Sequence, residues 1–186
     1  MNKSKYLFCI VGCSGSGKTT ICNILHDKYG LNQIESYTTR AKRTDNETGH
    51  TFITPEEFKQ LRDSGVVCCY DVYEENEYGC DIEHVENNEL YVVNYAGVQY
   101  LKEHYKGDKQ IICIYIDSNE LTRIVRMIER GDSKENILKR LNYDKDDFYN
   151  VELNCDCTFM NNYNTSLDKL VDEIYTYINQ VCNNSR

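Results

Sequence analysis

Tyr6-Leu7-Phe8-Cys9-Ile10-Val11-Gly12-Cys13-Ser14-Gly15-Ser16-Gly17-Lys18-Thr19 is an apolar run that breaks into a glycine-rich turn ending in Lys-Thr. The first six residues have the β-branched and aromatic make-up of a buried strand. Thr20-Ile21-Cys22-Asn23-Ile24-Leu25, which follows, spaces its apolar residues as a helix does. Between strand and helix stands G-x-x-x-x-G-K-[ST], a phosphate cradle. Gly12, Gly15 and Gly17 let the backbone turn so that successive N–H groups converge on an anion, and the helix adds the positive end of its dipole. Cys13, Ser14, Ser16 and Thr20 complete the loop. Lys18 supplies a point charge for β- and γ-phosphates and Thr19 a hydroxyl for Mg²⁺, so the expected ligand is ATP with Mg²⁺.

The chain has 186 residues, enough for one compact domain with a lid or insert but hardly for a second core. With 40% hydrophobic and 27% charged residues it has the balance of a soluble globular protein, and no apolar run is long enough to span a bilayer. Met1-Asn2-Lys3-Ser4-Lys5 leads into a short strand with no small-residue cleavage site, so no signal peptide is expected. A net charge of −9 argues against a general nucleic-acid binder. The cations instead cluster at Arg40/Lys42/Arg43, at Arg123/Arg126/Arg130 and at Lys139/Arg140, while acids dominate residues 71–89. An acidic exterior around a basic cleft suits small phosphorylated molecules, with neither nucleic acid nor membrane as partner. Ten cysteines without a C-x-x-C pair, several inside apolar runs, read as reduced structural thiols rather than a zinc or disulfide framework, with Cys155/Cys157 as the pair to watch. A cytoplasmic monomer or homodimer is expected.

Leu90-Tyr91-Val92-Val93 and Ile111 to Ile116 are further continuous apolar runs of strand length, and Cys157 to Met160 is a weaker one. Helical patterns alternate with them at Ala96–Tyr105, Leu121–Glu129, Ile137 to about Tyr149 and Leu167 to Val181. The alternation predicts an α/β fold with a central parallel sheet flanked by helices in three layers. Thr54-Pro55-Glu56-Glu57 signals a helix start, and Asp117-Ser118-Asn119-Glu120 a second capping box. Short strands and one helix between Gly49 and Gly79 interrupt the rhythm as an insert would.

Glu35-Ser36-Tyr37-Thr38-Thr39-Arg40-Ala41-Lys42-Arg43, Gly49-His50-Thr51-Phe52, Glu56-Glu57-Phe58, Tyr78-Gly79-Cys80, Tyr91 to Val98, the arginine-rich Leu121 to Arg140, and Asn161 follow one another in this order. In that order, and over nearly the whole chain, the sequence resembles the guanylate kinase family. The family carries a Ser-x-Thr-Thr-Arg-x-x-Arg segment, a glycine before an aromatic pair, a Tyr-Gly-Ser/Thr turn, a strand ending in an acid and a late arginine-rich lid. The resemblance implies a P-loop NTPase fold: a core of residues 1–34 and 90–186, a small mixed-β insert at about 35–89 that holds a nucleoside monophosphate, and a lid at about 127–140. It implies transfer of the ATP γ-phosphoryl group to GMP or dGMP. Arg40 and Arg43, three apart, can grip one monophosphate with two guanidinium forks. By resemblance they hold the acceptor's 5′-phosphate with help from Ser36, Tyr78 and His50. Arg126, Arg130 and Arg140 are the lid and helix arginines that neutralise the transferred group, and Asn161 lies at the donor nucleotide.

The departures fall on the base. The family reads guanine with two carboxylates, and Cys69 and Asn94 stand in their register; Cys80 stands where the family has Ser or Thr. Strand alternation puts Asp71 on the same side as Cys69, so Asp71 can replace the missing acid, and Asp81 is a second candidate. Two other readings remain at this stage: a P-loop kinase for another nucleoside monophosphate or a phosphorylated sugar, and a non-catalytic guanylate-kinase-like binding module.

Overall fold

Alternation along a single strand sets the layering. In the computed structural model, which describes residues 4–42, 45 and 47–183, every residue of β1 (Tyr6–Val11) is buried. Tyr6, Phe8 and Ile10 pack against α1 (Lys18–Tyr29) and α7 (Leu167–Asn183) through Ile21, Leu25, Val171 and Ile174. Leu7, Cys9 and Val11 face the opposite cluster, with Val98 and Leu101 of α4 (Tyr95–His104). A strand covered on both faces needs apolar residues at every position, which is why this one reads as an unbroken run. Each large side chain so buried contributes about 1.5–3 kcal/mol of transfer free energy.

β6 (Leu90–Val92) and β7 (Gln110–Asp117) flank β1, and β8 (Cys157–Met160) extends the sheet beyond β7; all pairs are parallel, in the order β6-β1-β7-β8. The three-layer arrangement expected from the alternation is therefore present. In a parallel sheet all strands end on one edge, so the loop after β1, Asn94 after β6, Ser118 after β7 and Asn161 after β8 emerge together.

The second sheet takes the order β3-β2-β5-β4, from β3 (His50–Phe52), β2 (Ser36–Thr38), β5 (Asn76–Asp81) and β4 (Val67–Tyr73). β2 and β3 are parallel and the other pairs antiparallel. α2 (Pro55–Asp63) starts at the reciprocal Thr54–Glu57 capping box, and α3 (Ile82–Asn87) follows β5. The two sheets meet at Gly97 of α4, where a Cβ would stand 2.6 Å from Val93 Cγ2 and 3.4 Å from Cys69 Sγ; only glycine lets β4 seat this closely.

α5 (Glu120–Glu129) and α6 (Lys134–Asp147) form a helical hairpin with a small core of Met127, Ile137 and Leu141. α6 begins three residues before the expected Ile137, because Ser133 accepts from Asn136 N and caps it. The expected box at residues 117–120 resolves differently. Asn119 alone caps α5 through Thr122 N, while Ser118 Oγ donates to Asn161 O at 2.8 Å and ties β7 to the loop after β8. Among the described residues no helix is long and apolar enough to cross a membrane.

Candidate active site

The loop between β1 and α1 has the backbone that its glycines promised. Gly15 has φ +78°, and a Cβ there would stand 2.7 Å from Arg123 O; at Gly17, φ +96°, it would stand 2.5 Å from Asn161 Nδ2. No side chain caps α1, so its first N–H groups are left for a ligand. Asn161 organises the surroundings: its Nδ2 donates to Ser16 O at 2.7 Å, and its carbonyls accept from Arg126 at 3.0 and 3.1 Å. Lys18 Nζ lies beneath the loop, donating to Gly12 O at 2.5 Å and Cys13 O at 3.1 Å. Burial pulls its pKa down, against the opposing charge of Asp144.

A cavity of about 660 Å³ runs from this loop to the second sheet. It brings together Gly12, Ser14, Gly15, Gly17, Lys18, Thr19, Thr20 and Asn161 on one side with Ser36, Arg40, His50, Asp71, Tyr78 and Asn94 on the other, and Arg126, Arg130 and Arg140 reach it from the helical hairpin. At the far end Ser36 Oγ lies 2.9 Å from His50 Nδ1, and the Tyr78 ring lies edge-on to His50. Arg40 makes a two-pronged pair with Glu47, at 2.7 and 3.2 Å, and sits over the Phe52 ring. Its Nε is buried without a partner among the described residues, a spare donor where an anion would be held. Arg43 lies outside the described residues.

Midway along the cavity Asn94 Nδ2 donates to Asp71 Oδ2 at 2.9 Å. Burial raises the Asp71 pKa, with the Asn94 bond pulling the other way. Cys69 and Asp71 do share a side of β4, yet only Asp71 reaches the cavity. Cys69 is 1% exposed and donates its S–H to Gly97 O, and Cys80, 0% exposed, lies in the same apolar cluster. Cys13 and Ser16 likewise turn away from the cavity, Cys13 toward Tyr115 and Ser16 into the core. Asp81 is consumed locally: it caps α3, meets the His84 ring and accepts from Tyr37.

Two groups went unnoticed in the sequence. Asp144 of α6 accepts from Ser14 N at 2.9 Å, from Ser14 Oγ at 3.2 Å and from Arg123 at 2.8 Å. Tyr73 at the tip of β4 meets Ser14 Oγ at 3.2 Å. The signals were present but weak. Arg140 and Asp144 are four apart, hence on one helix face, and Tyr73 shares a strand face with Asp71. The turn after Tyr73 places Glu74 and Glu75 at φ +50° and +66°, a left-handed pair held by Arg140 at 3.2 Å from Glu74. Arg130 is paired with Asp132 in the turn of the helical hairpin.

Gly15→Ala tests the loop. Strain of about 1–3 kcal/mol from the left-handed φ and the main-chain clash is expected to weaken triphosphate binding tenfold or more in a calorimetric titration.

An amide-lined loop after the first strand of a parallel sheet, a lysine beneath it and an arginine-rimmed cavity leading to a separate small sheet define a P-loop nucleotide-binding protein of the phosphotransferase class. The sequence profile of the guanylate kinase family matches residues 4–181. Guanylate kinase of Geobacter metallireducens is 29% identical over 149 residues, covering 75% of this chain and 72% of that protein. Guanylate kinase of Bartonella henselae is 30% identical over 142 residues, covering 72% and 63%. The crystal structure of guanylate kinase from Anaplasma phagocytophilum superposes with a TM-score of 0.70 over 98% of this chain and 88% of that one, at 17% identity, and so shares the fold. The chain belongs to the guanylate kinase family.

Proposed function

We propose that this protein transfers the γ-phosphoryl group of ATP to GMP or dGMP, giving ADP and the nucleoside diphosphate. The observation that carries the reading is the single cavity joining the lysine-bearing loop to the Ser36, Arg40, His50 and Tyr78 cluster, with Arg126, Arg130 and Arg140 between them. Phosphoryl transfer asks a protein for alignment and for positive charge, and little else. In this reading the core of residues 1–34 and 90–186 holds the donor, the insert at about 35–89 the acceptor, and the hairpin at about 127–140 is the lid.

The loop amides and Lys18 hold the donor's β- and γ-phosphates. Arg40, with Arg43, holds the acceptor phosphate, helped by Ser36, His50 and Tyr78. Arg126, Arg130 and Arg140 face the space between and offset charge as it spreads over the transferred group. Among the described residues no group of three or more His, Cys, Asp or Glu could cage a metal, and Thr19 is exposed at the start of α1. The Thr19 hydroxyl would hold a Mg²⁺ ion carried mainly on the phosphates, and the ion would supply positive charge against that of the transferred group.

The base falls against Asp71 and Asn94. Guanine presents N1–H and an exocyclic amine, two donors side by side, and the Asp71 carboxylate offers acceptors for them while Asn94 holds it in place. Asp71 thus does the work of the acid missing at Cys69. All of these parts come from one chain, so a monomer suffices, and ten thiols with nucleotide substrates suit a reducing cytoplasm.

An ADP-release assay across GMP, dGMP, AMP, CMP, UMP, dTMP and phosphorylated sugars tests the assignment. GMP and dGMP are expected to give the highest kcat/KM. Turnover confined to another acceptor would reassign the substrate, and no turnover on any of them would overturn the kinase reading.

A further inference from the structure

Ser14 is the point where four parts of the molecule meet. Its N–H and hydroxyl both go to Asp144 of α6, its hydroxyl also meets Tyr73 of the insert, and its carbonyl accepts from Arg123 of α5 at 3.4 Å. Asp144 is 3% exposed and Arg123 8% exposed, so their pair is buried, and Arg123 Nε has no partner among the described residues. A buried ion pair offers little net stability over apolar packing, because desolvation offsets the attraction. Its placement is what counts: the carboxylate is an anion seated on a main-chain N–H of a phosphate-binding loop.

The position of Ser14 says which phosphate is concerned. The transferred group must lie between the donor loop and the acceptor insert, and Ser14 is the loop residue that the insert touches, through Tyr73. Ser14 therefore faces the terminal phosphate, whereas the start of α1 serves the inner ones and Lys18 spans the β- and γ-phosphates. A γ-phosphate arriving there meets a buried carboxylate already holding the nearest donors.

Resting on the kinase reading above, we propose that Asp144 is a specificity-determining residue that sets the protein's preference between triphosphate and diphosphate. It acts through Ser14 and Arg123 as an internal anion that rivals the γ-phosphate and leaves the β-phosphate untouched. When the donor loses its γ-phosphoryl group, the carboxylate no longer opposes what remains in the loop. The device lowers affinity for the triphosphate selectively, so the two nucleotides bind with closer affinities than the loop alone would give.

The test is isothermal titration of the full chain with Mg²⁺ and either β,γ-imido-ATP or ADP. Three proteins are compared: wild type, Asp144→Asn, and the double variant Arg123→Leu/Asp144→Ala, which removes both charges together and keeps the fold if the single variant does not. Asp144→Asn is expected to bind β,γ-imido-ATP at least tenfold tighter, with ADP affinity changed less than threefold. The double variant vacates Ser14 N–H but loses a nearby guanidinium, so a gain of at least threefold confined to β,γ-imido-ATP is expected. Wild-type binding with no selective gain in either variant, or with both nucleotides tightened in parallel, overturns this inference and leaves the kinase reading standing. Failure of the wild type to bind either nucleotide overturns both.

Discussion

Lys18→Met lowers kcat about 10³-fold or more in the expected outcome, while the protein stays folded. The ammonium lies beneath a loop whose carbonyls at Gly12 and Cys13 hold it in place. Losing one preorganised donor to a developing oxyanion already costs about 10²–10³ in rate, and here a full charge is lost. Stability responds differently. Burial lowers the Lys18 pKa, so the charged form is disfavoured in the folded protein. Such a lysine subtracts stability at neutral pH, and the difference disappears only as pH rises past its unfolded value. An apolar side chain of similar length offsets the lost hydrogen bonds by removing that penalty. The melting temperature is therefore expected within a few degrees of wild type. Circular dichroism melts beside steady-state kinetics check both halves, and turnover within tenfold of wild type would remove Lys18 from the chemistry.

The second large effect belongs to Asp71→Asn. An amide in place of the carboxylate turns an –NH₂ toward guanine's donors or leaves one of them unpaired, at about 1–3 kcal/mol for each buried group. A loss of about 10²-fold in kcat/KM for GMP follows, with the ATP KM unchanged, because the donor loop is not touched. The pH profile adds a separate check. Burial raises the Asp71 pKa, so in wild type the Asp71 contribution to the acid limb of kcat/KM for GMP is expected at higher pH than an exposed aspartate would give, and the asparagine variant lacks that contribution. The sign for stability is opposite to that of a salt-bridged acid. A carboxyl whose folded pKa is raised contributes stability at pH below its unfolded value and loses it as pH climbs through the folded one. At neutral pH the substitution is thus expected to leave the melting temperature unchanged or higher. A variant that loses activity on every acceptor together with its melting temperature would make Asp71 a packing residue instead.

Asp71 also marks where sequence reading reached its limit. Alternation placed it beside Cys69, and the structure keeps them on one side of β4. What alternation could not say is which would be covered. Gly97 of α4 seats over Cys69 and takes its S–H, and Asp71, two residues further on, emerges past the helix and meets Asn94. The departures from the family pattern were legible as letters. Which side chain of β4 faces the cavity was decided only when two sheets were packed against one helix.

The arginines show the same division. Arg126, Arg130 and Arg140 were readable from spacing and order, but their partners were not. Arg126 is bonded to Asn161 and Arg140 reaches Glu74 across the cavity, contacts between positions far apart in the chain. Asp144 and Tyr73, which meet Ser14 from 130 and 59 residues away, carry only a weak local signature, a helix or strand face shared with a neighbour.

Order along the chain was enough for the phosphate loop, the parallel three-layer core and the family. A strand, a glycine turn and a helix are contiguous, and their chemistry depends on neighbours within a few residues. Only tertiary packing decided which side chains share the cavity, why Cys69 and Cys80 are buried while Asp71 is presented, and how Asp144 comes to rest on Ser14. Those outcomes depend on how closely separate elements approach, a distance set by side-chain volume and by one missing Cβ at Gly97, and no period or motif encodes it.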